Sequence, residues 1–145
     1  MTGHVRLFAA AFLVLAALLP AAASADDLTA TDRTAIQSLI TAQIDAFRQD
    51  NGAAAYSYAS PTVHAIFPTV DEFMAMVKGG YQPVYRPQSV TFGALDQSDS
   101  GPVQKVYVTG PDGQGYVAVY ALQRQPDGTW KINGCSLARD DSPSI

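Results

Sequence analysis

Cysteine, histidine and tryptophan are nearly missing from this 145-residue chain, which holds one, two and one of them. Each scarcity removes a class of chemistry. Cys135 has no second cysteine to pair with, so a disulfide could form only between chains and the fold must rest on its core. A metal site needs three or four converging His, Cys or carboxylate ligands. Beyond residue 25 the chain offers one His, one Cys and carboxylates without calcium-loop spacing, which argues against any metal site. A glycine-rich phosphate loop, a GxSxG elbow and a dinucleotide fingerprint are also lacking, so no cofactor is expected. Basic charge is thin: 9 Lys and Arg face 13 Asp and Glu, a net charge of −4, with both signs scattered. Such a surface argues against nucleic acid and anionic lipid as partners.

The one long apolar run stands at the N-terminus. Arg6 puts positive charge ahead of it, Leu7 to Leu19 are uncharged and apolar, and Pro20 leads into small residues. Among these, Ala23 and Ala25 give the small-x-small pattern accepted by signal peptidase. The run is rich in alanine and falls short of the roughly 20 strongly apolar residues of a membrane span. Residues 1–25 are therefore expected to be a signal peptide cleaved before Asp26. Residues 26–145 are then a single soluble domain, periplasmic or secreted, with no membrane partner after cleavage. A domain of that size buries about two-thirds of its unfolded surface and needs no covalent staple.

From Asp32 to Arg48, the residues Ile36, Leu39, Ile40, Ile44 and Phe47 recur at helical spacing, which predicts a long amphipathic helix with Thr31 as N-cap. At about 100° per residue, Gln43 falls in the middle of the apolar face and Asp45 on the opposite one. Asp50-Asn51-Gly52 breaks the helix, and Ala53 to Tyr58 predicts a second, shorter one. Ser60-Pro61 starts a single turn through Val63 and Ile66. Thr69 and Glu72 match a capping box ahead of a third helix with Phe73, Met76 and Val77 inward, closed by Lys78 and Gly79-Gly80. Pro83 and Pro87 are expected to keep Val84 to Arg86 extended.

No helical period returns after that point. Gln88 to Leu95, Val103 to Thr109, Tyr116 to Arg124 and Thr129 to Leu137, separated by turn residues, predict an antiparallel meander. In the third strand Tyr116, Ala118, Tyr120 and Leu122 share one face, and Val117, Val119 and Ala121 share the other. Both faces look covered, one by the helices and the other by a second copy or by the curled sheet. An isologous homodimer through Val117, Val119 and Leu137 is the simplest closed arrangement.

Helices first and a curved antiparallel sheet afterwards make an α+β fold, with N-terminal helices on one sheet face. In this order of elements the chain resembles the nuclear transport factor 2-like superfamily. It resembles more closely a bacterial family catalogued as domain of unknown function 4864, through Ala46-Phe47-Arg48-Gln49-Asp50, Ala59-Ser60-Pro61, Phe73 with Met76-Val77, Tyr81-Gln82-Pro83-Val84-Tyr85, and Gly128 to Cys135. The resemblance implies a cone-shaped cavity between helices and sheet and brings no established activity. Superfamily enzymes of the ketosteroid-isomerase kind place a carboxylate base inside that cone. Here Asp45 is expected to face away, and Asp71 and Glu72 to be occupied in capping, so the chain departs from that pattern.

No catalytic residue is assigned. A Cys135–His64 nucleophilic pair is outweighed by the ordinary reading of an exposed histidine and a core thiol. What remains is a set of polar groups on apolar faces: Gln43, Tyr56, Tyr81, Tyr85, Arg86 and Tyr120. Each has an ordinary structural role open to it, as a bonded buried amide, a rim tyrosine or a solvated arginine. Converging on one pocket, they would be ligand-binding residues, because such sites are mostly apolar with a few placed polar groups. Binding of a small, partly apolar molecule is thus expected ahead of an isomerase- or dehydratase-like enzyme using the same pocket, or an interaction module using the sheet face.

Overall fold

The computed structural model describes residues 27–141, and the expected signal peptide lies outside them. Helix α1 runs over Ala30–Arg48 and starts at Thr29, not Thr31. The Thr29 hydroxyl accepts the Asp32 N–H at 3.0 Å, and the Asp32 carboxylate accepts the Thr29 N–H at 3.0 Å. A cap at Thr31 would place Thr34 where this reciprocal carboxylate is needed, so the earlier start satisfies more backbone donors. Ile36, Ile40, Gln43, Ile44 and Phe47 are buried along the inner side, while Asp45 is exposed and pairs with Arg48 at 3.5 Å. Each of those isoleucines contributes about 1.5–3 kcal/mol by leaving water.

Asp50 adopts φ 53°, the left-handed conformation that ends the helix. The Asn51 side chain then accepts the Ala54 N–H at 3.1 Å and caps α2, Gly52–Ser57. Ser60 caps α3, Pro61–Ile66, with proline in the first turn; Val63 is buried and Ile66 exposed. Thr69 caps α4, Val70–Gly80, by accepting the Glu72 N–H at 3.1 Å, which is the threonine half of the expected capping box. Phe73, Met74 and Val77 form its buried side, and Met76 is only half-buried. The segment expected to be extended is instead a helical turn, α5, Gln82–Tyr85, closed by Tyr85 N–H to Tyr81 O at 3.0 Å and Arg86 N–H to Gln82 O at 2.9 Å. Pro83 falls in its first turn, where an N–H would have no helical acceptor, so the proline removes nothing.

Strands β1 (Ser89–Ser98), β2 (Gly101–Thr109), β3 (Gly115–Arg124) and β4 (Trp130–Arg139) form one antiparallel sheet in sequence order. With the helices N-terminal to it, the fold is α+β. Val106, Val108, Ala118, Tyr120, Leu122 and Ile132 face the inner isoleucines of α1 and Val84 of α5. A second buried cluster joins Phe47, Ala55, Val63, Phe73 and Val77 within the helical layer. Leu137, expected on the outer face with Val117 and Val119, pairs with Ala118 and packs against the inner cluster. The cause is a bulge in β4: Ala121 pairs with Gly134 and Leu122 with Ile132, which leaves Asn133 as the extra residue.

The first strand carries a similar irregularity between Phe92 and Leu95. There the buried Gln104 donates Nε2–H to the carbonyls of Gly93, Ala94 and Lys105 at 3.0, 3.3 and 2.8 Å. A Cβ at Gly93 would stand 2.5 Å from the Tyr107 ring, so a larger residue there would push that exposed side chain aside. Among the described residues no helix is long and apolar enough to cross a membrane.

Candidate functional site

The two buried clusters do not close on each other. Between them lies a cavity of about 200 Å³, bounded by α1, α3, α4 and the β3–β4 half of the sheet. Its deep walls are buried residues of both clusters, including Phe47, Phe73, Val84 and Ile132, while Phe67, Met76, Gly134 and Cys135 are half-buried toward solvent. Among the described residues that line it, none is charged. Close-packed interiors have few voids larger than a water molecule, so a space of this size is a feature of the fold.

Of the six polar residues expected to converge, Gln43, Tyr81 and Tyr120 line the cavity. Gln43 arrives there because helical periodicity sets it between Ile36, Ile40 and Phe47. Its Nε2 donates to Ala55 O at 3.1 Å, tying α1 to α2. Tyr81 sits at the junction of α4 and α5, and its hydroxyl donates to the Cys135 carbonyl at 3.0 Å, on the free edge of β4. The same edge is held further along, where Ile132 N–H donates to Tyr58 O at 2.9 Å and Ser60 N–H to Ile132 O at 2.8 Å. Gly134, which lines the cavity, lies between these two attachments.

Tyr120 is 1 % exposed, and its hydroxyl makes no hydrogen bond of ordinary geometry. Burial raises its pKa well above the ordinary phenol value. The Cys135 thiol, directly across the β3–β4 pair, reinforces that rise through its charge and a weak hydrogen-bond contact with the hydroxyl. Cys135 remains partly exposed as a residue, yet burial pushes its thiol up to about 12, with the neighbouring Tyr120 hydroxyl lowering it slightly. The thiol is therefore protonated at neutral pH, and a protonated thiol is a poor nucleophile.

The other three candidates lie elsewhere. Tyr56 stacks on His64 with ring centroids 3.7 Å apart and planes 5° from parallel, and its hydroxyl donates to Phe67 O at 2.6 Å. His64 Nε2 stands 2.7 Å from the Tyr56 carbonyl, so it carries the proton and donates. His64 does not line the cavity that holds Cys135. Tyr85 and Arg86 form a clamp with Asp50: the phenol and guanidinium both bond its carboxylate, and the guanidinium lies 4.1 Å over the Tyr85 ring. Arg86 also bonds the Phe47 carbonyl, fixing the C-terminal end of α1 to α5. The Tyr85 hydrogen bond, followed by that of Arg86, holds Asp50 below the usual carboxylate range, while the same bond raises Tyr85.

Cys135 and Gly134 were not among the expected ligand-binding residues. Strand alternation alone cannot assign them to a face, because the bulge at Asn133 changes the count. Phe67 and Met76 carry no polar signal and are placed only by the packing of α3 and α4.

These features define an α+β domain with an uncharged, mostly apolar cavity between its helical layer and its sheet. The chain belongs to the family described as Domain of unknown function (DUF4864), whose model matches residues 29–145. No curated protein and no solved structure matches it.

Proposed function

We propose that this is an exported domain of the nuclear transport factor 2-like layout that binds a small, largely apolar molecule in the cavity and does not transform it. The observation that carries the reading is the cavity itself: it interrupts an otherwise close-packed core and has uncharged polar groups, Gln43 and Tyr120, among its buried walls. Comparable dry cavities of about 150 Å³ accept benzene. An isomerase- or dehydratase-like reaction would need a base near the ligand. The amide of Gln43 has no useful pKa, and the phenol of Tyr120 is held in its protonated form by burial. Binding thus has support that turnover lacks.

A thermal-shift titration with small aromatic and alicyclic probes tests this. A ligand at about 100 times its Kd stabilises by about 2.7 kcal/mol, so the transition should climb with concentration. Cys135→Met, which extends a side chain into the space, should abolish that climb. A panel of such probes that leaves the wild-type transition unmoved would overturn the reading.

A second reading, self-association, is favoured by the outer sheet face, where Val117 and Val119 are half-buried and Tyr107 is 42 % exposed. Light scattering at micromolar concentration decides between a dimer and a monomer.

A further inference from the structure

Gln43 is 4 % exposed, and its amide makes one hydrogen bond, from Nε2 to Ala55 O at 3.1 Å. That bond fixes which end of the amide is which, since the reversed group would set two carbonyl oxygens against each other. Oε1 is left without a donor among the described residues. Yet it is not sealed. Among the described residues, the unpartnered interior atoms that no water could touch are Gln104 Oε1 and Tyr120 Oη, and Gln43 Oε1 is not one of them. The space it opens on is the cavity that Gln43 lines, because almost nothing of this residue reaches the outer surface. The other polar side chains of the wall are engaged. Tyr81 donates its hydroxyl to Cys135 O at 3.0 Å, and the Tyr120 hydroxyl is closed in beside the Cys135 thiol. A thiol is only a weak donor and a weak acceptor. The amide oxygen of Gln43 is thus the strong side-chain acceptor that the cavity presents.

Resting on the binding function proposed above, we infer that the ligand is a compact, uncharged molecule that donates one O–H or N–H to Gln43 Oε1 while its hydrocarbon part packs on the apolar walls. A buried acceptor left unpaired is costly, and a donor brought in by the ligand removes that cost on both sides at once. The volume of about 200 Å³ sets the size. Scaled from benzene in a cavity of about 150 Å³, it holds roughly six to nine non-hydrogen atoms. The walls set the charge. An ammonium group could also donate to the amide, but it would be a buried cation without an anionic partner, which the uncharged lining disfavours strongly. Phe47, Phe67 and Phe73 border the same space and suit a flat hydrocarbon part.

Phenol, toluene, anisole and benzylamine share a ring and separate these terms. Their affinities for the purified protein and for Gln43→Leu can be measured by NMR titration at pH 7. Phenol should bind wild type about fivefold more tightly than toluene, the value of one net hydrogen bond. Anisole, which keeps the oxygen and lacks its hydrogen, should bind no better than toluene. In Gln43→Leu the phenol O–H has no acceptor, so phenol should weaken about tenfold while toluene stays within about twofold. An amide with a merely structural role would change both ligands alike and leave their ratio untouched. The wild-type series decides the question by itself should the variant fail to fold. Phenol binding no more tightly than toluene would overturn the inference and leave the cavity function standing. So would anisole matching phenol, a preference for phenol that survives in Gln43→Leu, or benzylamine as the tightest binder. Failure of all four compounds, together with benzene, would overturn both.

Discussion

Tyr120 and Cys135 face each other across the β3–β4 pair and put a hydroxyl and a thiol side by side on the wall of one cavity. Neither is positioned to activate the other. Burial raises the pKa of both, so they meet as two neutral groups.

The thiol should accordingly be slow to react. With its pKa moved from near 9 up to about 12, little thiolate exists at pH 8. Alkylation by iodoacetamide should be at least about 100-fold slower in the folded protein than in the urea-unfolded chain. The sign of the linkage is that of a raised pKa: the stabilisation is full below about pH 9 and is lost as the pH rises toward 12. Equal alkylation rates in the two states would contradict this environment.

Gln43→Leu tests whether the amide is a structural hub. The mutation deletes the bond to Ala55 O, but that carbonyl still accepts the Tyr58 N–H at 3.3 Å. No buried acceptor is stranded, so the loss in urea denaturation should be about 1 kcal/mol. A loss above about 3 kcal/mol would mean that the amide holds the helical layer together.

Asp50 should give the fold a sensitivity to acid. Its pKa is lowered by Tyr85 and then Arg86, so its contribution is full above the ordinary value of 3.8 and fades as the pH falls through the lower folded value. The group is exposed and the effect screened, so the change is small. Asn tolerates the left-handed backbone at this position. The stability gap between wild type and Asp50→Asn should thus hold steady from pH 7 to about 5 and narrow below 3.8. A gap unchanged at pH 2.5 would remove the clamp from the account.

The proposed export predicts a defined N-terminus. Intact-mass measurement of protein recovered from the periplasm or medium should give a chain beginning at Asp26, after Ala23 and Ala25 have been read by the peptidase. A full-length chain retained in membranes would defeat that expectation.

The parts of this fold that local chemistry decides could be read from the sequence. Ser60, Thr69 and Asn51 sit where cap and break residues were expected, because a hydroxyl or amide reaches a backbone N–H only a few positions away. Gln43 was visible as a polar residue in an apolar stripe, and Tyr120 as the inward member of an alternating strand. Tyr85 and Arg86 are close to Tyr81 in sequence, but the unexpected turn of α5 carries them to Asp50 instead of the cavity. A helix boundary two residues early and a proline in a first turn are local alternatives that the same residues permit, whereas the bulge at Asn133 depends on a strand distant in sequence.

Both edge strands break the arithmetic of alternation once. Phe92 and Leu95 in β1, and Ile132 and Cys135 in β4, are each three residues apart and yet share the inner face. Everything downstream of each bulge therefore carries inverted parity relative to the residues before it. Deleting Asn133 alone would restore simple counting with Cys135 and Leu137 still inward, whereas drawing Asn133 into the ladder would turn both to solvent and bring Ser136 inward. In β4 the unpaired residue is thus the phase marker that aims the thiol at Tyr120, and a slip that took it into the ladder would rewrite the cavity wall without changing any of its side chains.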